Sequence, residues 1–163
     1  MRKKKIYLDT SAVSYLLQED APKEMQETLD FWRILRTGKY DVFISEVVVD
    51  ELSKCAEPKR TDLLAFLSEI NYTDVKVEGN AELLALADEI KQLNILPPKS
   101  ENDRRHIAAA ILSECNIIVS WNFNHMVNVK TIDGIRVVCV ANNISPVDIY
   151  TPTVLLERSD LYD

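Results

Sequence analysis

The stretch Lys3-Lys4-Lys5-Ile6-Tyr7-Leu8-Asp9-Thr10-Ser11 runs from a basic start through a short apolar segment into a carboxylate and two hydroxyls. Lys3 to Leu8 reads as a β-strand, and a helix is expected to begin at about Ala12. In open α/β sheets, ligands gather outside the carboxyl ends of the strands, so polar residues immediately after a strand are the first place to look for chemistry. Asp9, Thr10 and Ser11 stand at such a place. Taken alone they are better explained as the cap of the following helix.

Working outward, Asp41 to Ile44, Ile117 to Val119 and Val137 to Val140 are short runs rich in Val and Ile. Continuous apolar runs of this kind suit strands covered on both faces of a parallel sheet. Between them lie helical patterns. From Pro22 to Thr37, Met25, Leu29, Trp32 and Leu35 recur at three- and four-residue intervals until Gly38 ends the helix. Pro58 to Ile70 carries the stripe Leu63, Leu64 and Leu67. Ala81 to Leu93 carries Leu83, Leu84, Ala87 and Ile90 behind the N-cap Asn80, and Pro97-Pro98 blocks its continuation. Strands alternating with helix-sized segments imply right-handed βαβ crossovers. The expected fold is therefore α/β, a three-layer α/β/α sandwich around a mainly parallel sheet.

A length of 163 residues suits one compact domain with a sizeable core. Residues 1–150 are expected to form it, with 151–163 adding a short packing helix and a loose tail. An apolar content of 47% with 28% charged residues is ordinary for a globular chain, and no apolar run approaches the roughly 18 residues of a membrane span. The basic N-terminus does not lead into a signal peptide, because Asp9 interrupts the apolar segment, so a cytoplasmic location is expected. Cys55, Cys115 and Cys139 are odd in number, widely spaced and set in apolar segments, which points to buried thiols in a reducing compartment. A net charge of −7 argues against broad adhesion to nucleic acid. That argument weakens where the acids surround a bound cation.

Three further strand ends carry polar residues. After Val42-Phe43-Ile44 comes Ser45 as N-cap, then a helix over Glu46 to Leu52. Glu51 borders its apolar face, where a carboxylate is costly unless paired, protonated or bound to a cation. Glu46 and Asp50 point elsewhere and are expected to be solvated. The run Asn102-Asp103-Arg104-Arg105-His106-Ile107-Ala108-Ala109-Ala110 places Asp103 in the first turn of a small-residue helix, where capping and the helix dipole explain it as well as catalysis does. Arg104 and Arg105 are candidates for phosphate contact or plain surface charge, and His106 for orienting a carboxylate or for a structural role. After Ile117-Ile118-Val119 comes Ser120-Trp121-Asn122-Phe123-Asn124-His125, with amides and a hydroxyl where acids would give a stronger cation site.

The order of these pieces resembles that of the PIN-domain nucleases, of the toxin-like VapC type. The likeness rests on Tyr7-Leu8-Asp9-Thr10-Ser11, on Ser45 with Glu51-Leu52, on Asp103 to Ala110 and on Ser120 to Asn124, and it extends roughly to Tyr150. No single piece is specific, but four in order at strand ends make a joint signal. The resemblance implies an endoribonuclease dependent on Mg²⁺ or Mn²⁺, very often the toxin of a toxin-antitoxin pair. It implies RNA as substrate, an antitoxin protein as partner, and homodimers as a common assembly. Carried over, Asp9, Glu51 and Asp103 are the acidic metal ligands. Asn122 joins them as a catalytic residue holding a water or a phosphate, with Thr10, Ser11, Arg104 and Asn124 as substrate contacts. Asn122 and Asn124 depart from the aspartates that many family members place there. That departure supports an alternative, a catalytically weakened PIN-like module kept for binding a partner protein. A phosphotransferase using Asp9 as nucleophile is disfavoured, since no second Asp follows two residues later.

Overall fold

The computed structural model describes residues 2–158. Its centre is a five-stranded sheet in the order β3-β2-β1-β4-β5, with β1 at Lys5–Leu8, β2 at Asp41–Ser45, β3 at Tyr72–Val75, β4 at Ile117–Val119 and β5 at Asp148–Tyr150. All four pairings are parallel. Helices fill the crossovers: α1 at Thr10–Ser14, α2 at Pro22–Arg36, α3 at Glu46–Ser53, α4 at Lys59–Ser68, α5 at Ala81–Gln92, α6 at Glu101–Leu112, α7 at Val129–Ala141 and α8 at Pro152–Glu157. A 3-10 turn, Tyr15–Leu17, follows α1. The expected three-layer α/β/α sandwich is the fold, and the sheet is parallel throughout.

Side chains alternate along each strand, so β1 divides the core in two. Ile6 and Leu8 face a cluster that includes Phe31, Trp32, Val48, Leu52 and Leu63 from α2, α3 and α4. Tyr7 faces the opposite cluster, built from α5, α6 and α7 with Leu83, Ile90, Ile107, Ala108 and Ile135. The alanines of α6 let that helix lie close to the sheet, which brings its first turn up to the strand ends. The indole N–H of Trp32 donates to the Phe66 carbonyl at 3.0 Å and ties α2 to α4.

Val137 to Val140 is not a strand. It lies inside α7, where Val138 and Cys139 are buried while Val137 and Val140 are 56% and 74% exposed. The Asn128 side chain accepts from the Thr131 N–H at 2.9 Å and starts a helical period that these residues then follow. The remaining two strands are β3 and β5. β3 is an edge strand whose Tyr72, Thr73 and Asp74 are exposed, so it lacks the apolar run that betrays a covered strand. On α5 the buried positions are Leu83, Leu86, Ala87 and Ile90, whereas Leu84 is exposed. Cys115 and Cys139 are buried and Cys55 half-buried, all as free thiols, and burial pushes the Cys115 thiol up to about 12. Among the described residues, no helix is long and apolar enough to cross a membrane. The tail expected after α8 lies outside the described residues from 159 onward.

Gly134 is where α7 meets the segment after α5. A Cβ there would stand 2.6 Å from both Cδ1 and Cγ2 of Ile95 and 3.2 Å from its Cβ. Overpacking of this kind outweighs the helix propensity that alanine adds. Gly134→Ala should lose about 1–2 kcal/mol in a denaturant melt, and an unchanged midpoint would show that Ile95 gives way freely.

Candidate active site

At the carboxyl ends of β1, β2 and β4, three carboxylates are held by three different sets of donors. Asp9 follows β1 and is 3% exposed. Its Oδ1 accepts from the Ser11 hydroxyl at 2.6 Å and from the Ala12 N–H at 3.0 Å, which is the N-cap bond of α1. Its Oδ2 accepts from the Ser120 hydroxyl at 2.5 Å. Asp9 is thus at once the cap of α1 and a buried carboxylate held by two serines. The two serines are themselves oriented by backbone: the Trp121 N–H donates to Ser11 Oγ at 2.9 Å and the Asn122 N–H to Ser120 Oγ at 3.0 Å. Burial pushes the Asp9 carboxyl above its usual value, against the pull of His106 and of the Ser11, Ser120 and Ala12 bonds.

Glu51 lies in the last turns of α3, and its side chain is 31% exposed. Its Oε1 accepts from Thr10 Oγ1 at 2.7 Å and pairs with His106 Nε2 at 2.9 Å. The other ring nitrogen of His106 meets the Tyr7 hydroxyl at 2.6 Å, and that hydroxyl meets Ser45 Oγ at 2.8 Å. Burial alone would raise the Glu51 carboxyl, but the bonds from His106 and Thr10 outweigh it and hold it below the ordinary glutamate range. An ionised carboxylate only accepts, which fixes the direction of the chain. His106 Nε2–H donates to Glu51, and in the neutral ring Nδ1 then accepts from Tyr7, whose hydroxyl in turn accepts from Ser45. A row of buried groups thus runs from the sheet interior to Glu51. Sequence reasoning favours a structural histidine here, with orienting a carboxylate as the other role; His106 is buried, and the carboxylate it meets is on α3.

Asp103, in the first turn of α6, pairs through Oδ2 with His125 Nδ1 at 2.9 Å, and Ser100 Oγ lies 3.4 Å from the same nitrogen. Glu51, Asp103, Asn102, His125, Ser100 and Lys99 border one open depression on the surface. Asp9 sits apart from it, beneath the serines. Among the described residues, no three His, Cys, Asp or Glu side chains gather closely enough to hold a metal ion.

The remaining candidates are placed as follows. Thr10 and Ser11 touch Glu51 and Asp9 and so act on the carboxylates. Arg104 is 4% exposed, and its guanidinium donates to the Pro97 and Pro98 carbonyls at 3.1 Å each, clamping the segment before α6 instead of facing the depression. Arg105 pairs with Glu101 at 2.7 Å on the surface. The Asn122 Oδ1 accepts from the His125 N–H at 3.0 Å, and the Asn124 side chain is exposed. Glu46 keeps partial exposure and also accepts from the Val77 N–H at 2.6 Å and from the Glu78 N–H, fastening the loop after β3. Ser120 and His125 are the contributors that sequence reasoning left without a role. Their only signal was position just beyond the apolar run of β4.

A family model described as the PIN domain matches residues 6–125, a span holding all three carboxylates and His125. No curated protein matches the chain. Among solved structures, VapBC2 from Rickettsia felis, crystallised with a DNA fragment from its promoter, has a chain that superposes with a TM-score of 0.56 at 17% identity. The superposition covers 90% of this chain and 98% of that one, a likeness of fold. With β1 to β4 and every strand-end carboxylate inside the matched span, this chain belongs to the PIN domain family.

Proposed function

We propose that this chain is an endoribonuclease that hydrolyses RNA phosphodiester bonds with Mg²⁺ or Mn²⁺, acting as the toxin of a toxin-antitoxin pair. The observation that carries the reading is Glu51 and Asp103 on the rim of one depression, with Asp9 next in the chain to the Thr10 whose hydroxyl holds Glu51. PIN domains are generally nucleases and typically use divalent metal ions. The donors are right in kind for such an ion. Mg²⁺ favours oxygen ligands and is commonly held by one or two carboxylates, with waters and substrate phosphate completing its shell. Asp9, Glu51 and Asp103 would hold it, and because the three do not gather closely enough as they stand, binding would have to draw them together. When bound, the ion supplies Lewis-acid stabilisation to charge developing at the phosphorus centre.

The chain's own residues have separable tasks. Thr10 and His106 keep the Glu51 carboxylate ionised and fixed, so that it orients an attacking water. Ser11 and Ser120 aim Asp9, and three accepted bonds leave it one of its about four lone-pair positions. His125 holds Asp103 at the depression, with Lys99 supplying charge to a phosphate there. Asn122 shapes the turn that carries His125, and Asn124 faces outward toward a bound strand. An antitoxin covering this depression, and a homodimer, complete the proposal.

The test is cleavage of single-stranded RNA by the purified chain. Activity is expected with Mg²⁺ or Mn²⁺, none with a chelator, and at most about one hundredth with Asp103→Asn. Equal cleavage by Asp103→Asn would remove this site from the reaction. Amides in place of acids after β4 favour the second reading, a binding module without turnover, which an inactive parent chain that still binds a protein partner would establish.

A further inference from the structure

The loop between β4 and α7 holds one aromatic ring outward. Phe123 is 57% exposed, yet its backbone is firmly placed. The Asn128 side-chain amide donates to the Phe123 carbonyl at 3.3 Å and to the Asn124 carbonyl at 2.9 Å, and Asn122 closes the turn from the other side. Behind Phe123 stands Trp121, its ring centroid 6.3 Å away at a 57° tilt. Trp121 is itself pinned: it is 3% exposed, its indole N–H donates to Thr28 at 2.8 Å, and it stacks on Tyr15 at 5.6 Å. Tyr15, Trp121 and Phe123 thus form a row of rings in which the buried Trp121 lies between half-buried Tyr15 and exposed Phe123. The row ends beside Ser120, which holds Asp9, and two residues before His125, which holds Asp103.

We infer that Phe123 is a stacking platform for an unpaired base of the RNA strand, placing the adjoining phosphate at the depression bordered by Glu51 and Asp103. This inference rests on the nuclease reading above. A core role does not account for a ring more than half exposed on a laced loop, and a docking face for a protein calls for a contiguous apolar patch. Phe123 instead has the amides Asn122 and Asn124 on either side, and Asn124 is exposed, with donors and acceptors suited to a base edge. Unpaired bases are bound by stacking on aromatic rings with hydrogen bonds to their edges. Charge gives the same direction: a chain at −7 cannot rely on phosphate attraction alone, and stacking does not depend on it.

The experiment measures binding of a short labelled single-stranded RNA by fluorescence anisotropy, with Ca²⁺ replacing Mg²⁺ to slow cleavage. Phe123→Ala should weaken binding roughly tenfold, while Phe123→Trp and Phe123→Tyr stay within about twofold of the parent. Phe123→Leu, apolar but without a π face, should behave like the alanine variant. Thermal melts check that all four variants fold. Unchanged binding by Phe123→Ala, or full binding by Phe123→Leu, overturns the inference and points to a merely apolar anchor such as a protein contact. A parent chain that does not bind the RNA also overturns it. Cleavage by the parent, assayed separately, tells the two failures apart: a chain that cuts RNA with no dependence of binding on Phe123 loses this inference and keeps the nuclease reading.

Discussion

Asp9→Asn should cut RNA at about one hundredth to one thousandth of the parent rate, while melting no earlier than the parent in metal-free buffer. The first half follows from removing one of the three acids proposed to hold the cation. The second follows from the burial of Asp9. Burial raises its carboxyl above the ordinary 3.8, so the folded chain binds that proton more tightly than the unfolded chain does. Ionised Asp9 therefore counts against folding at neutral pH, and the deficit disappears as the pH falls below 3.8. Asparagine carries no charge to desolvate. Its Oδ1 can keep the Ser11 and Ala12 bonds, and Ser120 can turn to accept from Nδ2 and donate to Ser11 Oγ, which lies 3.3 Å away. Asp9→Ala offers no such exchange. It leaves two hydroxyls and a backbone N–H without their acceptor and should cost about 2–3 kcal/mol. The expected order of melting is thus Asn at or above the parent and Ala well below, with both variants cutting RNA at a small fraction of the parent rate. Added Mg²⁺ should raise the melting temperature of the parent alone. An active Asp9→Asn would reduce Asp9 to a helix cap.

The parts of the fold that were legible are those written in local sequence. β1 and the helix after it are announced by Leu8-Asp9-Thr10-Ser11, because strand end, cap and first turn are adjacent. The helices α2 and α5 declare themselves by spacing over three or four turns. Val137 to Val140 misled because a short valine-rich run has the same composition in a buried strand and in a half-exposed helix. Only the cap at Asn128, nine residues before Val137, distinguishes them. β3 was invisible for the opposite reason, since an edge strand shows solvent the polar residues that a loop also shows.

The same division runs through the site. Asp9, Glu51 and Asp103 could be picked out because each stands at a strand end or in a helix whose pattern is readable. What surrounds them could not. Ser120 reaches Asp9 across 111 positions of chain, and Tyr7 reaches His106 across 99. Arg104 and Arg105 look alike in sequence, yet one is turned inward to two proline carbonyls and the other outward to Glu101, because successive residues on a helix face different directions. The amides after β4 drew notice as missing acids, whereas the serine before them and the histidine after them are what touch the carboxylates.

His106 gives the sharpest test of how those long-range bonds serve the site. It is 2% exposed and connects Tyr7, fixed in the core, to Glu51 on the rim. His106→Ala removes a buried ring and leaves the Tyr7 hydroxyl with Ser45 as its one remaining partner, so a loss of about 2–4 kcal/mol is expected. Glu51 would keep only the Thr10 bond at Oε1, and its freedom should lower cleavage by roughly 10- to 100-fold. Stability and positioning can be separated with Tyr7→Phe, which breaks the inner bond and leaves the bond from Nε2 to Glu51 in place. That variant should lose about 1–3 kcal/mol yet retain most of its activity at a temperature where it is fully folded. If Tyr7→Phe and His106→Ala lose activity in proportion to their stability, His106 is only part of the core. If His106→Ala falls in kcat far beyond Tyr7→Phe with KM little changed, the ring acts through Glu51, as its 2.9 Å bond leads one to expect.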